Sequence, residues 1–246
     1  MPFTSASIGL YVHTSMRFDN CGVRGRFFLL GAVLLLVSTL NAASGRRVTF
    51  RAEDGGTLTG VYYEASQRPA PAVLLLHMQG RSPLDWDEAA SQLADAGFAV
   101  LALDFRGAGD AGGYAADVRG AKAFLRSRPD AVSSAIGVAG ASIGANVALI
   151  DAADDPAVAS IALVSPGLDY KGLRIEGAMK KYGARPAFFI SSTKDPYSAR
   201  SIRHLATIGP GTREVRLDEA VAHGTALLAR SPALIGALVD WFKRTL

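Results

Sequence analysis

The chain has 246 residues, 49% hydrophobic and 20% charged, a globular composition long enough for one α/β domain. Of its 26 basic and 22 acidic side chains, three Arg and one Asp fall in the first 44 residues; the remainder holds 23 basic and 21 acidic groups, a near balance that gives no electrostatic case for nucleic acid. The single cysteine, Cys21, excludes disulfides, cysteine metal sites and a thiol nucleophile from everything after it.

Phe27 to Leu40 is a continuous apolar run of 14 residues, preceded by Arg17, Arg24 and Arg26 and followed by Asn41-Ala42-Ala43-Ser44. A charged start, a short apolar core and a small-residue exit read as a secretory signal peptide over residues 1–44, cut near 42–44. The run is short for a membrane span, which needs about 20 residues. The alternative is an uncleaved signal anchor. Met16 competes with Met1 as the start, because 26 residues ahead of the run is long for such a leader. Cys21 precedes the run, whereas a lipid-anchoring cysteine would follow it. The reading predicts an exported protein, periplasmic or secreted, with residues 45–246 as its one domain.

Arg46 to Arg51 and Leu58 to Tyr63 alternate about the turn Asp54-Gly55-Gly56, which predicts an antiparallel hairpin closed off by Pro69 and Pro71. Ala72 to His77 then runs apolar without alternation, the mark of a strand buried on both faces in a parallel sheet. From here strands and helices alternate. Helices are expected over Asp85–Ala96, Tyr114–Arg126, Ile143–Ala153, Ser198–Thr207 and Pro232–Lys243. Strands are expected over Phe98–Leu103, Ile136–Ala139, Ser160–Val164, Ala187–Ser191 and Glu214–Leu217. Repeated βα units predict an α/β fold, a mainly parallel twisted sheet covered on both faces, with its site at the carboxyl ends of the strands.

One stretch carries chemistry. Gly140-Ala141-Ser142-Ile143-Gly144 matches G-x-S-x-G between a buried strand and a helix, the context of a nucleophile elbow. A serine hydroxyl needs a base within hydrogen-bond reach, and the base needs an orienting carboxylate. Of the four histidines, His13 lies in the leader, His77 ends a strand before the elbow and His204 sits mid-helix. His223, in the loop Ala222-His223-Gly224, has the position of the base. The acid should lie between Ser142 and His223 in chain order. Asp195, in Thr193-Lys194-Asp195-Pro196, is favoured; it also has the place of a helix N-cap. Asp169 is the alternative acid, one strand nearer the nucleophile. Oxyanion donors are expected from the N–H of Ile143 and from the loop after Val73–His77, at Gln79 or alternatively Met78.

Together with Leu75-Leu76-His77-Met78-Gln79-Gly80 and Leu103-Asp104-Phe105-Arg106-Gly107-Ala108-Gly109, these residues resemble the α/β-hydrolases, and more narrowly the small dienelactone-hydrolase-like serine esterases. The resemblance spans roughly Val48 to Leu246. It implies Ser142, Asp195 and His223 as nucleophile, acid and base. No cofactor is expected, and no metal, since the histidines after the leader are isolated and neither HExxH nor a paired-carboxylate helix occurs. Met78 departs from the family, which usually has Gly after the strand-end His. Only about 20 residues, Ser165 to Arg185, stand where relatives carry a lid. The cap is therefore expected to be minimal, the cleft open and the substrate a small or exposed ester. Tyr170, Leu173, Met179 and Tyr182 are candidates to line it; a plain amphipathic helix is the competing reading.

Three rivals remain. Gly107 to Gly112 fits G-x-G-x-x-G, but Asp104-Phe105-Arg106 separates it from the strand and no helix is expected at the second glycine, which weighs against a dinucleotide site. The same triad would serve an acyltransferase or thioesterase, and the same scaffold a non-catalytic binding protein. Acyl and alcohol groups and oligomeric state are not encoded in any motif.

Overall fold

The computed structural model describes residues 43–107 and 111–246; the leader read over 1–44 lies outside them but for Ala43 and Ser44. β1 (Arg46–Arg51) and β2 (Thr57–Tyr63) form the antiparallel hairpin. Then come β3 (Ala70–Leu76), a 3-10 turn over Pro83–Trp86, α1 (Asp87–Asp95), β4 (Ala99–Asp104), α2 (Ala111–Arg126), β5 (Ala131–Ala141), α3 (Ile143–Asp154) and β6 (Val158–Val164). A two-residue pair, β7 (Asp169–Tyr170) and β8 (Leu173–Arg174), and α4 (Glu176–Tyr182) lead to β9 (Ala187–Ser192), α5 (Pro196–Leu205), β10 (Arg213–Asp218), α6 (Thr225–Arg230) and α7 (Ala233–Thr245). The eight-stranded sheet runs β1-β2-β4-β3-β5-β6-β9-β10, antiparallel only at β1/β2 and β2/β4.

The central strands show why their sequences do not alternate. Leu74 and Leu76 of β3 face a core shared with α2, α3, α4 and α5, while Val73 and Leu75 face a second core under α1, α6 and α7. Both sets are fully buried. A polar residue at either parity would face a core, and each buried Leu or Val contributes about 1.5–3 kcal/mol.

Two strands start earlier than expected. β3 begins at Ala70 and takes in Pro71, because the register against β5 slips between Ala70 and Ala72 at a bulge, where proline's missing N–H removes no ladder bond. β5 starts five residues before Ile136. The β7–β8 hairpin and α4 are additional elements. Among the described residues no helix is long and apolar enough to cross a membrane.

Candidate active site

Ser142 stands between β5 and α3 at φ 52° and ψ −119°, a positive-φ backbone that a non-glycine residue adopts only under strain. Its N–H donates to the Val164 carbonyl on β6 (2.9 Å). Both flanking glycines are needed for close approach. A β-carbon at Gly140 would stand 2.2 Å from the Gly144 carbonyl oxygen, and one at Gly144 would stand 2.5 Å from that of Leu76. The first amides of α3 have no acceptor within the helix, so the Ile143 N–H is a free donor by position.

His223 lies in the loop after β10 and joins the other two residues. Its Nδ1–H donates to Asp195 Oδ2 (2.5 Å), and its Nε2 accepts from Ser142 Oγ (2.8 Å). Asp195 does what both of its readings require: Oδ1 caps α5 by accepting from the Ser198 N–H (3.1 Å), while Oδ2 holds His223. Burial pushes the Asp195 carboxyl up, but the bonds from His223 and Ser198 outweigh it and hold the group below the ordinary carboxylate range. The histidine loop is itself fastened. Arg230 Nη1 donates to Val221 O (2.7 Å), Ser192 Oγ to Ala220 O (2.5 Å), and the Gly224 N–H to Ser165 Oγ (3.0 Å).

Asp169, the alternative acid, is brought to neither Ser142 nor His223. Its carboxylate accepts from the Gly172 N–H (2.8 Å) and Arg174 Nε (3.0 Å) at the exposed end of the β7–β8 hairpin. His204 is exposed and stands 3.6 Å from Glu176. His77 is buried and fixed as one tautomer: Nε2 accepts from the Phe105 N–H (3.1 Å), so Nδ1–H donates to Met78 O (2.8 Å). It thereby clamps the loop that carries Met78 and Gln79. That loop, with Ile143, Phe105 and Tyr114, lines a cavity of about 270 Å³. A larger groove, about 1020 Å³, runs between α2, α3 and α4; Ser142 and His223 line neither space, the smaller one reaching the site through Ile143 and the Met78–Gln79 loop, and Tyr114 is the residue common to both.

Of the four candidates in the Ser165–Arg185 connection, only Tyr170 reaches His223 (ring centroids 6.2 Å apart). Leu173, Met179 and Tyr182 are buried in the core beneath α4, because an amphipathic segment with only the domain to pack against turns its apolar side inward. Two contributors escaped the sequence reading. Ser165, buried at φ 51°, carried only the weak signal of a serine between a buried strand and Pro-Gly. Asn146, fully buried on α3, carried the stronger one of an amide within the apolar first turns of a helix. It donates to the carbonyls of Gly167 and Leu173 (both 2.8 Å) and accepts from the Gly167 N–H (3.2 Å).

The strand order, the strained serine between β5 and α3 and the His223 loop after the last strand define a class. The chain has the α/β-hydrolase fold, a mainly parallel sheet covered by helices on both faces. Residues 67–187 match the family described as serine aminopeptidase, S33. Among solved structures, a dienelactone hydrolase of Anabaena variabilis is 20% identical, with a TM-score of 0.72 over 83% of this chain and 99% of its own. An esterase of Pyrococcus furiosus is 18% identical, with a TM-score of 0.68 over 82% of this chain and 91% of its own. The esterase domain of a Rhodothermus marinus protein is 18% identical, with a TM-score of 0.69 over 82% and 99%. No curated protein matches the sequence.

Proposed function

We propose that the protein is a carboxylesterase acting on small or exposed esters through an acyl-enzyme on Ser142. The observation that carries this is His223, bonded to Ser142 Oγ through one ring nitrogen and to Asp195 through the other. In this reading Ser142 Oγ attacks the ester carbonyl while Nε2 of His223 takes its proton. Asp195 holds the imidazole in the tautomer that leaves Nε2 free to accept, and stabilises the imidazolium that forms. The Ile143 N–H and the N–H of Gln79, or alternatively Met78, receive the oxyanion; each such donor is worth about 3 kcal/mol of barrier. His223 returns its proton to the leaving alkoxide, and water repeats the sequence on the acyl-enzyme.

The small cavity and the short β7–β8 and α4 cover support a small or exposed ester over a long acyl chain. Amide hydrolysis is the second reading, since the matched family is described as an aminopeptidase. Among the described residues lining the cavity Arg81 is charged and none is a carboxylate, which disfavours a substrate with a free ammonium. An acyltransferase or thioesterase would use the same residues with another acceptor. We also propose export to the periplasm or beyond, on the strength of the leader over residues 1–44, with tethering by an uncleaved anchor as the alternative.

A panel of p-nitrophenyl esters of rising chain length, run beside aminoacyl p-nitroanilides, tests the proposal. Turnover of short esters that Ser142→Ala abolishes is expected. Turnover of the anilides alone would replace it with a peptidase, and turnover of long esters alone would refute the small-substrate part.

A further inference from the structure

The β6–β9 connection does more than cover the cleft. Asn146 pins it to α3 at Gly167 and Leu173, and Leu168 N–H donates to Ser201 Oγ (3.3 Å) on α5. Tyr197 of α5 brackets Asp169, accepting from its N–H and donating to its carbonyl (both 3.0 Å). The next residue, Tyr170, is thus held from both sides. Its ring stands edge-on to His223 (6.2 Å, 84°), and its hydroxyl lies 3.4 Å from Ser165 O and 3.2 Å from Ser198 Oγ. Ser198 is the residue whose N–H is capped by Asp195. Tyr170 therefore ends a chain of polar groups, Ser142–His223–Asp195–Ser198–Tyr170, whose last ring turns back against His223. Burial raises the phenol above its ordinary range, so it stays protonated beside His223.

The direction of its proton matters. The Ser165 carbonyl can only accept and Ser198 Oγ can donate or accept, so whichever of them the single Tyr170 O–H faces, a lone pair on its oxygen is left for another donor. We propose that Tyr170 is a catalytic residue that holds the water of deacylation, accepting one of its protons while His223 Nε2 accepts the other. This rests on the serine-hydrolase reading above. A water donating to both groups keeps a lone pair free for the acyl carbon. As the new C–O bond forms, one water proton passes to His223. When the bond from carbon to Ser142 Oγ breaks, His223 passes that proton to Oγ. The acid leaves carrying the water oxygen, and Tyr170 ends as it began. Acylation needs no such water, so the hydroxyl should matter to one half of the cycle only.

Tyr170→Phe removes the oxygen and keeps the ring against His223. With p-nitrophenyl acetate, acylation is read from the p-nitrophenol burst and deacylation from the decay of the acetylated protein by intact mass spectrometry. Deacylation should slow by about tenfold, the scale of one lost hydrogen bond, with acylation held within about twofold. Equal loss in both steps, loss in acylation alone, or no change in either overturns the proposal. A wild-type protein that forms no acetylated species would instead refute the serine-hydrolase reading, a different result from any of these.

Discussion

Met78 Sδ lies 2.5 Å from the point that a β-carbon on Gly224 would occupy, so a methionine fills the space beside the residue that follows His223. Gly224 also sits at φ 59°, where a side chain adds strain of about 1–2 kcal/mol. Met78 is the position where the sequence departs from the strand-end His-Gly expected of its relatives. Gly224→Ala should lower kcat for p-nitrophenyl acetate and lower Tm. Met78→Ala added to it should recover the part due to the clash and leave the part due to φ. Fully additive effects of the two changes would show that the contact does not constrain the loop.

Asp195→Asn keeps the shape of the cap on Ser198 but offers an N–H to His223. The imidazole would then hold its proton on Nε2, facing Ser142, so kcat should fall by about 10³–10⁴-fold with the fold intact. Asp169→Asn should leave kcat unchanged, since that carboxylate serves Arg174 and the turn at Gly172. Steady-state kinetics of the two variants separates the acids; loss on Asp169→Asn alone would reverse their roles.

His223→Ala should remove nearly all turnover, whereas His204→Ala, on the exposed side of α5, should retain it. Ester hydrolysis assays of both, with circular dichroism to check folding, read the outcome directly.

Far from the site, Lys122 Nζ is buried between Asp151 (2.6 Å) and Asp155 (2.7 Å), and Arg126 also reaches Asp155 (2.9 Å). Burial pulls the Asp155 carboxyl up, but Lys122 and Arg126 hold it down at about 2. A carboxyl lower in the folded than in the unfolded chain adds stability that is complete above its unfolded value, near 3.8, and is lost as pH falls towards 2. Asp155→Asn should therefore lower Tm clearly at pH 6 and much less at pH 3. An equal drop at both would show that the ion pairs contribute nothing titratable.

Most of the fold was legible because its signals are local and strong. Val73, Leu74, Leu75 and Leu76 run apolar at both parities, the pattern of a strand buried on both faces, and Gly140 and Gly144 bracket a serine at the spacing of the elbow. Ser142, Asp195 and His223 could be named because each follows a strand and the strands share one end. What stayed hidden depends on contacts between distant segments. Nothing near Asn146 says that its amide pins Gly167, 21 residues on, and nothing near Ser165 says that its hydroxyl receives the N–H of Gly224. Tyr170 was one of four equal candidates until the hairpin turned it toward His223 and packing took Leu173, Met179 and Tyr182 into the core. The proposed oxyanion donors are legible only by position: Ile143 opens a helix, and Gln79 or Met78 follows the clamped His77.

The central claim is that Ser142 is a nucleophile activated by His223, and labelling with a fluorophosphonate probe tests it most directly. The probe should modify the wild-type protein at Ser142, as read by peptide mass spectrometry, with no labelling of Ser142→Ala and strongly slowed labelling of His223→Ala. A folded wild-type protein that takes up no label, or one labelled equally after Ser142→Ala, would contradict it.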